Sequence, residues 1–167
     1  MIALEITSMK NFMNRLLAGD TFDLFLLEEA TISTANTYTI DGHINRDFYP
    51  AEERTAEMIP YEFQPWSEVK GLCFHLIKGK HTPLFLKLVL HLKPEITDRI
   101  LREGDSVIDA DHIKALVLNV KYDGSRAILT TGASYQTFVM SREPEKLWDT
   151  WLVKYLDQSG ITFSSLA

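Results

Sequence analysis

An α+β fold, a mainly antiparallel sheet with helices packed on it, is what the order of hydrophobic patterns along this chain predicts. Three observations lead there. Residues 2–6, 84–92 and 116–122 alternate apolar and polar side chains, the period of a half-buried strand. Residues 9–17, 65–79, 94–103 and 144–160 instead bring apolar side chains round at helical spacing. Asp-Gly stands between extended runs at 41–42 and again at 123–124, a strong hairpin signal, because a type I′ turn needs positive φ at both central residues. At 167 residues and 46% hydrophobic, with no Pro-, Gly- or Ser-rich linker, the chain reads as one domain, 1–167.

Each element has its own justification. Ile2, Leu4 and Ile6 form a short strand, and Thr7 or Ser8 then caps a helix in which Met9, Phe12, Met13, Leu16 and Leu17 share one side. Residues 24–34 are rich in aliphatic and β-branched types, 36–40 lead into Asp41-Gly42, and 43–49 resume an extended pattern. Residues 50–57 are polar and read as a loop or short helical turn, and 58–63 as a strand that Pro60 confines to an edge. Pro65 and Ser67 open the second helix, with Trp66, Val69, Leu72, Cys73, Leu76 and Ile77 on one side. Leu84, Leu86, Leu88, Leu90 and Leu92 make a leucine row on the clearest strand of the chain. A short helix from Pro94 follows. Then comes a three-stranded meander of 116–122, 127–131 and 135–140, turning at Asp123-Gly124 and at Gly132. Pro144 opens the last helix, striped by Leu147, Trp148, Trp151, Leu152, Tyr155 and Leu156 and closed by Gly160. Strand, helix, then strands joined by Asp-Gly occurs at 2–48 and again at 84–140, an order that hints at duplication without matching residues.

Composition narrows the class. A single cysteine, Cys73, excludes an internal disulfide and a cysteine zinc site, and so points to a reducing compartment, by default the cytoplasm. No basic start with a long apolar stretch opens the chain, and no uncharged run approaches the roughly 20 residues of a membrane span, so no membrane association is expected. The formal charge of −6 is unevenly spread: −8 over residues 1–69, +5 over 70–102 and −3 over 103–167. A local basic patch decides whether a polyanion docks, whatever the total.

Catalytic motifs are sparse. None of the five histidines sits in a paired ligand spacing. Asp109, Asp111 and His112 form the best metal-like cluster and carry the alternative of a small metal-dependent hydrolase, although Asp and His are common loop residues. Cys73 lies on the apolar side of its helix, where a thiol is inert packing, and Gly132-Ala133-Ser134 lacks the second glycine of a nucleophile elbow. Without a Gly-x-Gly-x-x-Gly or Walker loop, no cofactor is expected. The basic residues are more coherent. Lys10, Arg15, Lys70 and Lys78 lie on the polar sides of the first two helices, and if those sides converge they would present cations to nucleic-acid phosphates.

The motifs Tyr38-Thr-Ile-Asp-Gly-His-Ile-Asn45 and Pro65-Trp-Ser-Glu-Val-Lys-Gly-Leu-Cys-Phe-His-Leu-Ile-Lys-Gly-Lys80, with Thr137-Phe138, resemble an uncharacterised family of about this length in anaerobic Gram-positive bacteria. That resemblance implies no activity. In element order from residue 2 to about 140, the chain also resembles the processivity fold of DNA sliding clamps, which implies an acidic protein whose basic helices face DNA. The helices at 94–103 and 144–158 depart from that pattern, and fold by itself does not fix function. The expectation is therefore a non-catalytic binding protein, clamp-like in its sharpest form, with nucleic acid or another protein as partner. Besides the metal hydrolase, the alternative is a self-associating structural protein.

Overall fold

A computed structural model describes residues 1–166. Among them the elements run β1 (Ala3–Ile6), α1 (Met9–Leu17), β2 (Phe25–Ser33), β3 (Thr37–Asp41), β4 (Gln64–Pro65), α2 (Trp66–Ile77), β5 (Phe85–Leu92), α3 (Pro94–Glu103), β6 (Ile113–Tyr122), β7 (Ala127–Tyr135), α4 (Glu143–Gln158) and β8 (Phe163–Leu166). One sheet of eight strands takes the order β3-β2-β5-β6-β7-β1-β8, with the short β4 also paired to β2, and every pairing is antiparallel. The fold is α+β.

Register explains why the leucine row matters. Leu86, Leu88 and Leu90 stand directly opposite Tyr122, Val120 and Leu118, and Val120 in turn opposes Leu129. Opposed residues share a face, so the row is the centre of a continuous apolar surface. Phe12 and Leu16 of α1, Trp66 and Cys73 of α2, Ile100 and Leu101 of α3, and Trp148 and Leu152 of α4 all join it in one core. The four helices thus cover one face of the sheet. Each fully buried leucine contributes about 1.5–3 kcal/mol. On the opposite face Lys87 and Lys121 oppose one another and stay exposed.

The hairpin read at Asp123-Gly124 is present, but not as a type I′ turn on that dipeptide: Asp123 has no positive φ, and its N–H donates to Arg126 O at 3.1 Å, which places Gly124-Ser125 at the centre of the turn. Asp123 Oδ1 accepts the backbone N–H of Arg126 at 2.8 Å and of Ser125 at 3.0 Å, while Gly124 takes φ +99°. Those donors, Arg126 first, hold the Asp123 carboxyl below the usual carboxylate range.

Other expectations need correction. Ala127–Tyr135 is one strand, and Gly132 pairs with Val117 inside it where a turn was expected; residues 136–142 add no strand. A Cβ at Gly132 would meet nothing within 4 Å, so the glycine lies on the open face and marks no turn. β8 was not foreseen, because Phe-Ser-Ser-Leu is too short for its alternation to register. Residues 58–63 form no strand; only Phe63 makes an isolated antiparallel bridge, to His43. The two similarly ordered halves also occupy unlike places: β1 lies between β7 and β8, whereas β5 is central. No helix among the described residues is long and apolar enough to cross a membrane.

Candidate functional site

Between β3 and β4 the chain makes its longest excursion, residues 42–63, with only two single 3-10 turns, Arg46–Phe48 and Ala51–Glu53. Segments this long within a compact fold usually carry function. Asp41-Gly42 is where it departs and is not the expected turn; the β2–β3 hairpin closes instead at 34–36, with Thr34 N–H donating to Asn36 O at 2.9 Å. Gly42 presses against β2 where the pairing of β2 with β5 slips between Leu27 and Glu29. A bulge turns the Glu28 carbonyl out of its ladder, and Gly42 N–H donates to it at 2.8 Å.

The excursion is held by its own polar contacts. Arg54 Nε donates to Tyr49 O at 2.9 Å and to Arg46 O at 3.0 Å, and Arg46 reaches Ile59 O at 3.3 Å. Both guanidinium groups thereby satisfy backbone carbonyls that no ladder serves. At its far end the Phe63 ring lies between two imidazoles, 4.3 Å from His43 and 4.8 Å from His91, centroid to centroid. His43 Nε2 is 3.1 Å from Glu62 Oε1, and His91 Nε2 is 3.5 Å from Glu28 Oε1. Phe63 covers His91 on the sheet face away from the helices, which leaves His91 only 7% exposed.

Burial holds the His91 imidazole below the ordinary histidine value of 6.5; Lys114 pushes the same way, and Glu28 and Glu62 oppose them. The unfolded chain then takes up the proton first. Stability contributed by neutral His91 is complete above about pH 6.5 and is lost as pH falls through the lowered folded-state value. The urea midpoint of the protein is expected to fall more steeply between about pH 7.5 and about pH 5 than that of His91→Gln. Parallel pH profiles for the two proteins would refute this role for His91.

Two adjoining clefts open between the excursion and α2. One of about 320 Å³ is lined by Ile40, Phe48, Val69 and Leu72 among others, and one of about 250 Å³ by Met58, Ile59 and Glu53; they share Ile44, Tyr49, Gln64 and Glu68. Phe48 is 82% exposed, Met58 60% and Leu72 54%. Leu72 was expected on the buried side of α2, but Trp66 and Cys73 fill that side and leave Leu72 facing the cleft. Asp41, Glu53 and Glu68 are the acids of the lining, and among the described residues neither Lys nor Arg lines either cleft.

The residues singled out from sequence are placed differently from one another. Lys70 is 18% exposed, its Nζ 2.7 Å from Asp23 Oδ1 and donating at 2.7 Å to Gly19 O. It fastens α2 to the segment after α1, and Asp23 neutralises it. Trp66 Nε1 donates to Leu16 O at 2.9 Å, so the first turns of α2 meet the C-terminal end of α1. Lys10 and Lys78 are exposed at the helix ends remote from that junction, and Arg15 Nε reaches Asn11 Oδ1 at 3.4 Å on its own helix. Asp109, Asp111 and His112 do not gather. Asp109 lines one hollow, Asp111 another, and His112 Nδ1 is 3.0 Å from Thr137 Oγ1. Successive side chains of the 3-10 turn Ala110–His112 splay by about 120°. Among the described residues no group of three or more His, Cys, Asp or Glu side chains is placed to hold a metal ion. Burial pushes the Cys73 thiol up to about 11, leaving it protonated at neutral pH.

Sequence reasoning missed the clefts. Its available signal was Phe48-Tyr49-Pro50 and Met58-Ile59-Pro60-Tyr61, apolar clusters with prolines inside a polar, strandless stretch. Among known proteins, a family model described as "Family of unknown function (DUF5721)" matches residues 15–164. No curated protein and no solved structure matches the chain.

Proposed function

Since the chain belongs to DUF5721, a family of unknown function, its own surface has to supply the reading, and we propose a non-catalytic binding protein whose ligand is a segment of another protein. The contact surface is the pair of clefts between β3, the excursion and α2. One observation carries this: large apolar side chains, Phe48, Met58 and Leu72, stand exposed around concave space. Exposed apolar side chains grouped around a cleft and rimmed by polar residues mark interaction sites more often than solvent faces. The acids of the lining repel a phosphate backbone, and Lys70 is already ion-paired, so a protein ligand is favoured over the clamp-like contact with nucleic acid.

Selection of random displayed peptides on the immobilised protein tests the proposal. Enriched peptides are expected to bind Leu72→Glu at least about tenfold more weakly, roughly 1.4 kcal/mol. The substitution is at an exposed position and should change fold stability by less than about 0.5 kcal/mol. The proposal fails if no peptide is enriched, or if enrichment ignores Leu72→Glu. It also fails if duplex DNA binds at low salt and is released on replacing Lys10 and Lys78 with Glu.

A further inference from the structure

We infer that the ligand is an extended segment that adds as a strand to the free edge of β3, with apolar and cationic side chains alternating along it. The inference rests on the binding reading above and specifies the partner's chemistry. β3 ends the sheet, and its Thr-Tyr-Thr-Ile-Asp sequence contains neither the proline nor the lysine with which edge strands commonly block further pairing. Its outer row of N–H and C=O groups has no strand partner among the described residues. An added strand satisfies that row whatever its sequence; side-chain pockets then decide which sequence is preferred.

The two faces of β3 differ in chemistry. Tyr38 and Ile40 oppose Ile32 and Ala30 on the helix side, where Ile40 lines the larger cleft with Val69 and Leu72. Every second side chain of an added strand would enter that apolar space. On the other face Asp41, which at the end of β3 also borders that cleft, stands directly opposite Glu29, two carboxylates in a pairing that destabilises a sheet when it is not offset. Among the described residues neither lies within ion-pair distance of a Lys or Arg; Asp41 Oδ1 accepts the His43 backbone N–H at 3.0 Å and lies 3.5 Å from the His43 Nδ1. A Lys or Arg from the intervening positions of the added strand supplies the missing cation. The opposite edge offers no such vacancy, because Glu5, beside β8, is already paired with Arg126.

A labelled nonapeptide of alternating Val and Arg, followed by fluorescence anisotropy on the full chain at low salt, tests this. It should bind at least about tenfold more tightly than its Glu-for-Arg counterpart. Backbone N-methylation of one alternate set of residues should cost at least about tenfold, and of the other set little, since only one set bonds β3. Replacing Glu29 with Gln together with Asp41 with Asn should remove most of the preference for Arg. If binding depends on Leu72 but ignores both methylated sets, or if the Glu peptide binds as well, strand addition or the charge rule is overturned while the cleft reading stands. If no peptide from this set or from the display selection binds, both fall.

Discussion

Gly42→Ala is expected to destabilise the protein by about 3 kcal/mol or more, lowering Tm by roughly 6–12 °C for a chain of this size. A Cβ at this position would lie 1.7 Å from Leu27 O, 2.6 Å from Leu27 C and 3.2 Å from Glu28 O. These are backbone atoms of a central segment of the sheet, and no side-chain rotation relieves the clash. Either β2 or the excursion has to move. Gly42 N–H would then lose Glu28 O, and Gly42 O would lose the Gln64 N–H, both now at 2.8 Å. The excursion would detach at the point from which the clefts are built, so peptide binding should disappear together with stability. Thermal unfolding followed by circular dichroism reads the effect; a Tm within about 1 °C of the parent would show that the approach is looser than described.

Trp148→Ala should cost about 3–5 kcal/mol, the range for emptying an aromatic site in a packed core. The indole is fully buried, donates from Nε1 to Val117 O at 3.1 Å, and links Phe25 (6.2 Å between centroids) to Trp151 (5.8 Å). Trp151 in turn stacks on Tyr155 at 4.8 Å, whose hydroxyl donates to Thr21 O at 2.7 Å. The Trp148 side chain therefore ties α4 to β2 and β6, and the aromatic stack that runs on from it through Trp151 to Tyr155 reaches the segment after α1. Truncation removes that contact surface together with the indole's hydrogen bond to the Val117 carbonyl. Urea denaturation measures the loss, with Trp148→Phe expected to recover part of it by refilling the volume without the hydrogen bond. A cost below about 1 kcal/mol would mean that the site collapses around the missing ring.

Legibility of the candidate site was partial for a physical reason that two pairs of residues illustrate. Asp-Gly occurs twice. At 123–124 it opens the hairpin its neighbours call for, with the aspartate oxygen on two backbone N–H groups. At 41–42 the same dipeptide ends a strand, and its glycine is needed because β2 passes too close for any side chain. Local preference is identical in the two places, and the long-range packing differs. Lys70 likewise reads as a free cation on a helix shoulder until Asp23, 47 residues away, is brought to its ammonium. Leu72 reads as core until Trp66 and Cys73 fill the space beneath α2.

Sequence alone determined the four helices, the leucine row of one strand, the α+β class and the existence of a hairpin after Tyr122. These follow from periodicity and turn chemistry, which average over a dozen residues the free energy of moving side chains out of water. Only tertiary structure decided which strand became an edge, where β8 paired, how residues 42–63 folded into a pair of clefts, and which charges were left without partners. Each of those is a contact between distant parts of the chain, set by how closely particular backbones and side chains approach, and no local pattern records such a distance.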